Sequence, residues 1–177
     1  MIFRSAKFVL LLAAAAVLSQ RAPAGRGEFP QPKSSETLGS LAIVVNQSNP
    51  VSDLSLAELR AVFLGERIHW PNGRRITLVM MEPGQPERDA VLRDVCRMNE
   101  SDFRRRFLQG LLTGEVLVSP KTLATAVGVR KFVFNVPGAI GYMRPADVDA
   151  SVKVLRIDGR LPTDETYELH LPERVDR

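Results

Sequence analysis

The hydrophobic pattern of the chain begins with a short, unbroken apolar run. Residues 41–45 are all apolar and mostly β-branched, which favours a strand covered on both faces of a sheet. Asn46 ends this run and opens a polar loop. Because open α/β sheets usually present ligand groups where their strands end, Asn46 is a candidate binding residue.

A short helix with clear ends is predicted next. Ser55 and Glu58 have the spacing of a capping box, an apolar stripe of helical period follows, and Gly65 supplies the residue type that commonly ends a helix. The β-rich segment 75–81 then predicts a second strand. A turn rich in Pro and Gly at residues 82–86 ends that strand.

A longer helical region starts at Glu87. Its apolar residues recur with a period of 3.6, pause at residues 99–101 and then resume, which predicts two helices joined by a capped corner. The lone cysteine, Cys96, falls in register with the apolar positions of the first of these helices. We therefore interpret Cys96 as a buried core thiol and not as a reactive or disulfide-bonded one.

The last third of the chain predicts one more helix and two strands. Ser119 and Pro120 fit an N-cap followed by proline at the first helical position, and predict a helix that reaches Gly128 or beyond. Residues 139–143 and 152–157 have the pattern of strands. The alternation of strands and helices along the chain indicates an α/β sheet.

The first 24 residues have the pattern of a cleaved signal peptide. Two basic residues precede an apolar run at residues 8–18, and small residues follow at Ala22 and Ala24. The run is too short to span a bilayer core of about 30 Å, so we expect no stable membrane insertion after cleavage. The only cysteine, Cys96, is far from the cleavage site, so we expect no lipid attachment of the lipoprotein type.

The rest of the chain predicts a single domain. Residues 25–38 are rich in Pro, Gly, Ser and charge without periodicity, which is typical of a flexible linker. Residues 39–171 form the predicted domain, and residues 172–177 a short tail. A chain of about 150 residues is long enough for one hydrophobic core.

The charge of the chain gives little reason to expect nucleic acid as a partner. The formal net charge is +4, but three basic residues and no acidic residue belong to the predicted leader, which leaves a nearly neutral domain. Arginines do cluster between Arg60 and Arg106. A solvated, salt-bridged helix face explains this cluster, and an electrostatic preference for anions is the alternative.

We find no sequence pattern typical of an enzyme or of a metal site. The two histidines, His69 and His170, lie far apart in the sequence, and no further ligands have metal-site spacing around them. The chain has no G-x-S-x-G elbow, no P-loop and no G-x-G-x-x-G fingerprint. We therefore expect a protein without catalytic residues, metal or cofactor.

Two motifs link the chain to a known family. FLGERIHWPNG at residues 63–73 and VPGAIGYM at residues 136–143 occur in the order and separation found in the second lobe of phosphate ABC transporter substrate-binding proteins. The chain resembles the short, near-single-lobe branch of that family. The resemblance implies an α/β fold, namely a type 2 periplasmic-binding-protein-like lobe with a mixed sheet flanked by helices.

The resemblance also implies an oxyanion ligand. Full-length relatives hold phosphate with a Ser-Gly-Thr run at a helix start, which this chain lacks, whereas Pro86-Glu87-Arg88 matches the Pro-x-Arg of the short relatives. Backbone amides at a helix start attract oxyanions without a particular side chain. Gln85 and Arg88 at one predicted helix start, and Ser119 and Thr122 at another, are therefore candidate ligand-binding residues.

Structural interpretations of the same residues remain open. Arg88 is also explained by an ion pair with a local carboxylate, and Ser119 by a cap on its own helix. Trp70 and Tyr142 could line a cleft, although packing explains both of them as well.

Two functions follow as hypotheses. The first is an exported periplasmic solute-binding protein that captures a small oxyanion, phosphate foremost, and delivers it to an ABC permease. The alternative is a ligand-free, one-lobe interaction module that is a periplasmic partner of a sensor or envelope complex. The absence of the Ser-Gly-Thr run favours the second, and the family motifs favour the first.

Overall fold

The computed structural model describes residues 39–114 and 119–171. The predicted signal peptide (1–24), the linker (25–38) and the tail (172–177) lie outside the described residues. Among the helices of the described segments, none is long and apolar enough to cross a membrane. The regular elements, in chain order, are β1 (Ala42–Asn46), β2 (Asp53–Leu54), α1 (Leu56–Phe63), β3 (Thr77–Met81), α2 (Pro86–Ala90), a π-helical turn (Val91–Cys96), α3 (Glu100–Thr113), β4 (Lys121–Leu123), α4 (Ala126–Asn135), β5 (Ala139–Met143), a 3₁₀ turn (Pro145–Asp147), β6 (Val152–Val154) and β7 (Arg156–Ile157).

The main sheet is mixed and has the strand order β4-β3-β5-β1-β6. Strand β3 pairs in parallel with both β4 and β5, whereas β1 is antiparallel to both β5 and β6. A separate two-stranded parallel sheet joins β2 to β7. Helix α4 packs on β1, β3 and β5, and α2 packs on β3. The predicted fold class, a mixed sheet flanked by helices, is confirmed.

The central strand β5 and its neighbour β1 are the strands that the apolar pattern predicts best. Every residue of β1 and of β5 is buried, so both faces of these strands are covered. A continuous apolar run is what such a position requires, because neither alternating set of side chains meets solvent.

Local capping sets the ends of α1 and α3 as the sequence predicts. The Oγ of Ser55 accepts the backbone N–H of Glu58 at 3.2 Å, and the Glu58 carboxylate accepts the backbone N–H of Ser55 at 3.0 Å. Asn99 caps α3 by accepting the Asp102 N–H at 2.9 Å. Between the two predicted helices, Arg97 adopts the left-handed conformation at φ 55°, which turns the chain into α3.

The two family motifs contact each other across the fold. Residues 68–76 form a hairpin, in which the Ile76 N–H donates to the Ile68 carbonyl at 2.9 Å. The indole N–H of Trp70, in the first motif, donates to the carbonyl of Gly138, in the second, at 3.0 Å. Trp70 is 2% exposed, so its role is packing and hairpin attachment, not cleft lining.

The core contains three titratable groups whose neutral forms are favoured. Cys96 is fully buried as predicted, and burial raises the pKa of its thiol to about 12. Tyr142 accepts the Met81 N–H at 3.0 Å, and Tyr167 donates to the Leu41 carbonyl at 2.8 Å. Burial raises the pKa of both phenols well above their usual range.

We therefore expect the protein to lose stability in alkaline solution. In the unfolded chain the thiol ionises near pH 9.0 and the phenols near 10.0, whereas in the fold all three stay protonated to higher pH. The free energy of unfolding should thus fall from about pH 9 and more steeply above pH 10, by about 1.4 kcal/mol per pH unit for each proton difference. Urea unfolding between pH 8 and 11 measures this slope.

Cys96→Ala provides the control for the alkaline transition. Without the thiol, the decrease should begin near pH 10 and be shallower by one proton. A stability that stays level between pH 8 and 11 would contradict the expectation.

The prediction of a helix from Ser119 is wrong. Residues 121–123 form β4, which pairs in parallel with Val79–Met81 of β3, and the helix begins only at Ala126. Its N-cap is Thr125, whose Oγ1 accepts the Gly128 N–H at 3.0 Å. Residues 121–123 form hydrogen bonds with the backbone of β3. The Ser-Pro pattern of a helix start is local and does not take such long-range partners into account.

The predicted strand at 152–157 is divided in two. Residues 152–154 extend the main sheet beside β1, while Arg156 and Ile157 pair with β2 in the small sheet.

Candidate functional site

Three parallel strands end together at one edge of the main sheet. At these carboxyl ends, β3 is followed by residues 82–85, β4 by residues 124–125 and β5 by Arg144. We call these three segments together the carboxyl edge. The Glu82 N–H donates to the Leu123 carbonyl at 3.1 Å, which holds the first two segments side by side. Open α/β sheets bind ligands outside the carboxyl ends of their strands, so this edge is the candidate site.

Two helices begin at the carboxyl edge. Helix α2 starts after Gln85 and continues through the π-helical turn to Cys96, and α4 starts after Thr125. Thr125 caps its helix with its own hydroxyl, whereas Gln85 makes no side-chain cap. Pro86 has no N–H, and the N–H groups of Gln85 and Arg88 donate to the carbonyls of Glu82 and Gln85. The first turn of α2 therefore offers an anion the N–H of Glu87, which has no backbone hydrogen bond among the described residues, and the positive end of the helix dipole.

Arg88, a predicted ligand-binding residue, is buried, and its guanidinium donates hydrogen bonds to groups of the protein itself. Its Nε and Nη2 donate to the two carboxylate oxygens of Glu100 at 2.7 and 3.0 Å, and its Nη1 donates to the Met81 carbonyl at 2.7 Å. The guanidinium lies 5.5 Å from the centre of the Phe103 ring. Arg88 is only 6% exposed and does form an ion pair, but its partner Glu100 lies 12 residues along the chain and is not the local carboxylate that sequence analysis left open.

The other arginine at the carboxyl edge is also paired. Arg144 donates from its Nε to the carboxylate of Glu87, and the Glu87 side chain is only 10% exposed. Each of these two cations is thus neutralised by a neighbouring carboxylate. An anion at this edge would rely mainly on backbone amides and on the Gln85 side chain, which is half-buried.

Ser119 and Thr122 lie along a groove between α3 and β4. Ser119 precedes the strand and Thr122 is in it, opposite Met80, and both are exposed. The groove has a volume of about 350 Å³ and is also lined by Arg88, so three of the five predicted residues meet there. Its apolar lining comes mainly from α3, namely Phe103, Phe107, Leu108 and Leu111.

Asn46 lies at the opposite edge of the sheet. Strand β1 is antiparallel to β5 with Ala42 beside Met143, so the end of β1 lies where β5 begins. The Asn46 amide donates to the carbonyls of Val133 and Phe134 at 2.9 and 2.6 Å, and its Oδ1 accepts from Ser48. These bonds cap the C-terminal end of α4, so the structure does not bring Asn46 together with the other candidates.

Sequence analysis missed two residues of the carboxyl edge, Thr125 and Arg144. A signal existed for each: Thr125 stands three residues before Gly128 in an N-cap position, and Arg144 directly follows the apolar run of β5. The carboxylate partners could not have been found this way, because Glu87 and Glu100 meet their arginines through tertiary contacts. In the described segments, no group of three or more His, Cys, Asp and Glu side chains converges to hold a metal ion.

Comparison with solved structures gives matches at the level of the fold. No family model matches the chain. A Clostridium perfringens protein assigned to the phosphate ABC transporter substrate-binding proteins, solved with bound phosphate, aligns over 68% of this chain and 46% of its own, with 24% identity and a TM-score of 0.57. An ABC-type phosphate transport receptor from Vibrio cholerae aligns over 76% and 54%, with 23% identity and a TM-score of 0.58.

A third structure extends the same likeness. PstS from Borrelia burgdorferi aligns over 75% of this chain and 55% of its own, with 13% identity and a TM-score of 0.61. At such identities the likeness concerns the fold. The chain has the fold of the phosphate ABC transporter substrate-binding proteins and spans about half of the length of these matches.

Proposed function

We propose that the chain is an exported periplasmic solute-binding protein of the phosphate-binding type, which captures a small oxyanion at the carboxyl edge for an ABC permease. Phosphate is the foremost candidate. The fold supports this proposal, because the three matched proteins are by name phosphate-binding or phosphate-transport proteins and one of them was solved with phosphate.

The observation that carries the proposal is the convergence of two helix starts at the carboxyl edge. Helices α2 and α4 both begin there, and the first turn of α2 lacks a side-chain cap. The N–H of Glu87 and the positive ends of the two helix dipoles attract an oxyanion even where no arginine is free. Gln85 adds a side-chain amide that can donate to the same oxygen atoms.

The pairing of the two arginines favours the second candidate function. Arg88 and Arg144 are committed to Glu100 and Glu87, and the chain spans about half of the matched proteins. A one-lobe module that binds a sensor or envelope protein, and no small ligand, would keep these ion pairs for stability alone.

Thermal unfolding with phosphate distinguishes the two functions. Residues 25–177 are the form to test, because the buried core of the described segments lies between Leu41 and Leu171. A phosphate site of micromolar affinity should add about 4 kcal/mol at 1 mM ligand and raise Tm by about 8 °C. Sulfate and chloride at the same ionic strength are the comparison ligands.

A pair of charge-matched variants assigns the effect to the carboxyl edge. Gln85→Glu places a negative charge at the start of α2 and should abolish the phosphate shift. Gln109→Glu makes the same change at an exposed position of α3 and should leave the shift intact. No shift with phosphate or sulfate would overturn the oxyanion proposal and favour the interaction module.

A further inference from the structure

A second cavity lies away from the carboxyl edge. It has a volume of about 240 Å³ and is bounded by the end of α1, the 68–76 hairpin, the first residues of β3 and one side chain of α3. Because Thr77 begins β3 and Gln85 follows its end, this cavity is at the opposite end of that strand. We call it the hairpin pocket.

The walls of the hairpin pocket are largely apolar, and its polar lining is cationic or neutral. Its polar contributors are Arg67, Arg75, Thr77 and Ser119, with no carboxylate among the described lining residues. The apolar side chains come from four different parts of the fold, namely Val62, Ile68, Ile76, Leu78 and Phe107.

The two arginines of the hairpin pocket, Arg67 and Arg75, differ in their ion pairs. Arg67 donates to Glu58 at 3.1 Å through Nη1. Arg75 is exposed, and among the described residues no carboxylate lies within ion-pair distance of it. Arg75 is therefore a cation available to a ligand at the pocket.

The backbone that carries Arg75 is held rigidly. The hairpin is closed by backbone hydrogen bonds from Ile76 to Ile68 and from Trp70 to Arg74, at 2.9 and 2.8 Å. Gly138 packs so closely on the Arg75 carbonyl that a Cβ on Gly138 would lie 2.1 Å from its oxygen. A preformed wall of this kind loses little entropy when a ligand binds.

We propose that the hairpin pocket binds a small monocarboxylate with an aliphatic body. The apolar walls would take the hydrocarbon part, and Arg75 would pair with the carboxylate through a charged, bidentate hydrogen bond. Inorganic phosphate fits this pocket poorly, because it would leave five apolar side chains without a partner. Phe107 and Ser119 also line the α3–β4 groove, so a longer chain could continue into it.

The test is a titration of residues 25–177 with butanoate, hexanoate and octanoate. Trp70 is the only tryptophan and lies in the hairpin, so its fluorescence provides the signal, with calorimetry as a second measurement. Each methylene that enters the pocket should tighten binding about fourfold. The absence of binding, or an affinity that does not change with chain length, would overturn the proposal.

Two controls test the role of the charge. Arg75→Gln should weaken octanoate binding about tenfold, whereas Arg74→Gln, the same change at the neighbouring exposed residue outside the pocket lining, should leave it unchanged. Octanamide should bind about tenfold more weakly than octanoate to the unmodified protein. Equal effects of the two substitutions, or equal binding of the amide, would overturn the assignment to Arg75.

The outcome is independent of the oxyanion proposal. The two sites lie at opposite ends of β3, so phosphate binding at the carboxyl edge should be unaffected by Arg75→Gln. Each proposal can therefore fail without the other.

Discussion

Arg88→Ala is expected to destabilise the protein by about 3 kcal/mol, which corresponds to a decrease in Tm of about 6 °C. The substitution removes both hydrogen bonds to Glu100, the bond to the Met81 carbonyl and the contact with the Phe103 ring. Since the Arg88 side chain is only 8% exposed, water replaces these partners poorly. Urea unfolding at neutral pH measures the loss.

The same carboxylate provides a matched control. Arg104 also contacts Glu100, at 3.6 Å, but its side chain is 72% exposed. Arg104→Ala should therefore cost no more than about 0.5 kcal/mol, the usual value for a solvated helical ion pair. Similar losses for the two variants would contradict the structural role assigned to Arg88.

The Arg88 variant also bears on the oxyanion proposal. If Arg88 serves only to join α2 to α3, Arg88→Ala should leave phosphate affinity unchanged in conditions where the variant is fully folded. A loss of about 1.5 to 3 kcal/mol in binding free energy would instead place the guanidinium in the anion site. Calorimetric titration at 10 °C separates the two, because the destabilised variant remains folded there.

Gly138→Ala is expected to be the most damaging single methyl addition, costing at least about 3 kcal/mol. The new Cβ would lie 2.1 Å from the Arg75 carbonyl oxygen and 3.3 Å from its carbon, both of them backbone atoms that cannot rotate away. Relief would require the hairpin to move and would stretch the hydrogen bond from Trp70 to Gly138. Thermal unfolding, with Trp70 fluorescence as a local probe, measures both effects.

Gly141→Ala distinguishes backbone contact from side-chain contact. Its Cβ would lie 2.8 Å from Cγ1 of Val129, a side-chain atom on α4 that can shift. We expect a smaller loss, of about 1 to 2 kcal/mol, with an unchanged Trp70 spectrum. If Gly141→Ala costs more than Gly138→Ala, the close approach of Gly138 to the hairpin is not what requires glycine there.

Much of the fold could be predicted from the sequence because the relevant interactions are local. The capping box of Ser55 and Glu58 closes within one turn, and the apolar run at 41–45 describes a strand with two covered faces. Cys96 was placed in the core from its register alone. Helix ends and buried faces depend on residues a few positions apart, so their patterns can be recognised in the sequence without knowledge of the fold.

The candidate site was predicted less well. Gln85 does lie at the start of α2 on the carboxyl edge, and Arg88, Ser119 and Thr122 do share one groove. Asn46, by contrast, is the last residue of β1, which runs antiparallel to β5, so it lies at the opposite end of the sheet. A rule about strand ends requires the strand direction, which the chain does not reveal before the sheet is assembled.

The sequence by itself therefore determined the elements with strong local signals: the central strands, the capped helices, the buried thiol and the motifs that indicate the fold. Only the tertiary structure decided that residues 121–123 are a strand, because β4 is three residues long and depends on pairing with β3. It also decided that Arg88 binds Glu100 and that Arg75 has no such partner among the described residues. The physical reason is common to these cases. A charged side chain, or the unpaired backbone groups of a strand, bond to whichever groups the fold brings near, and those groups can lie at any distance along the chain.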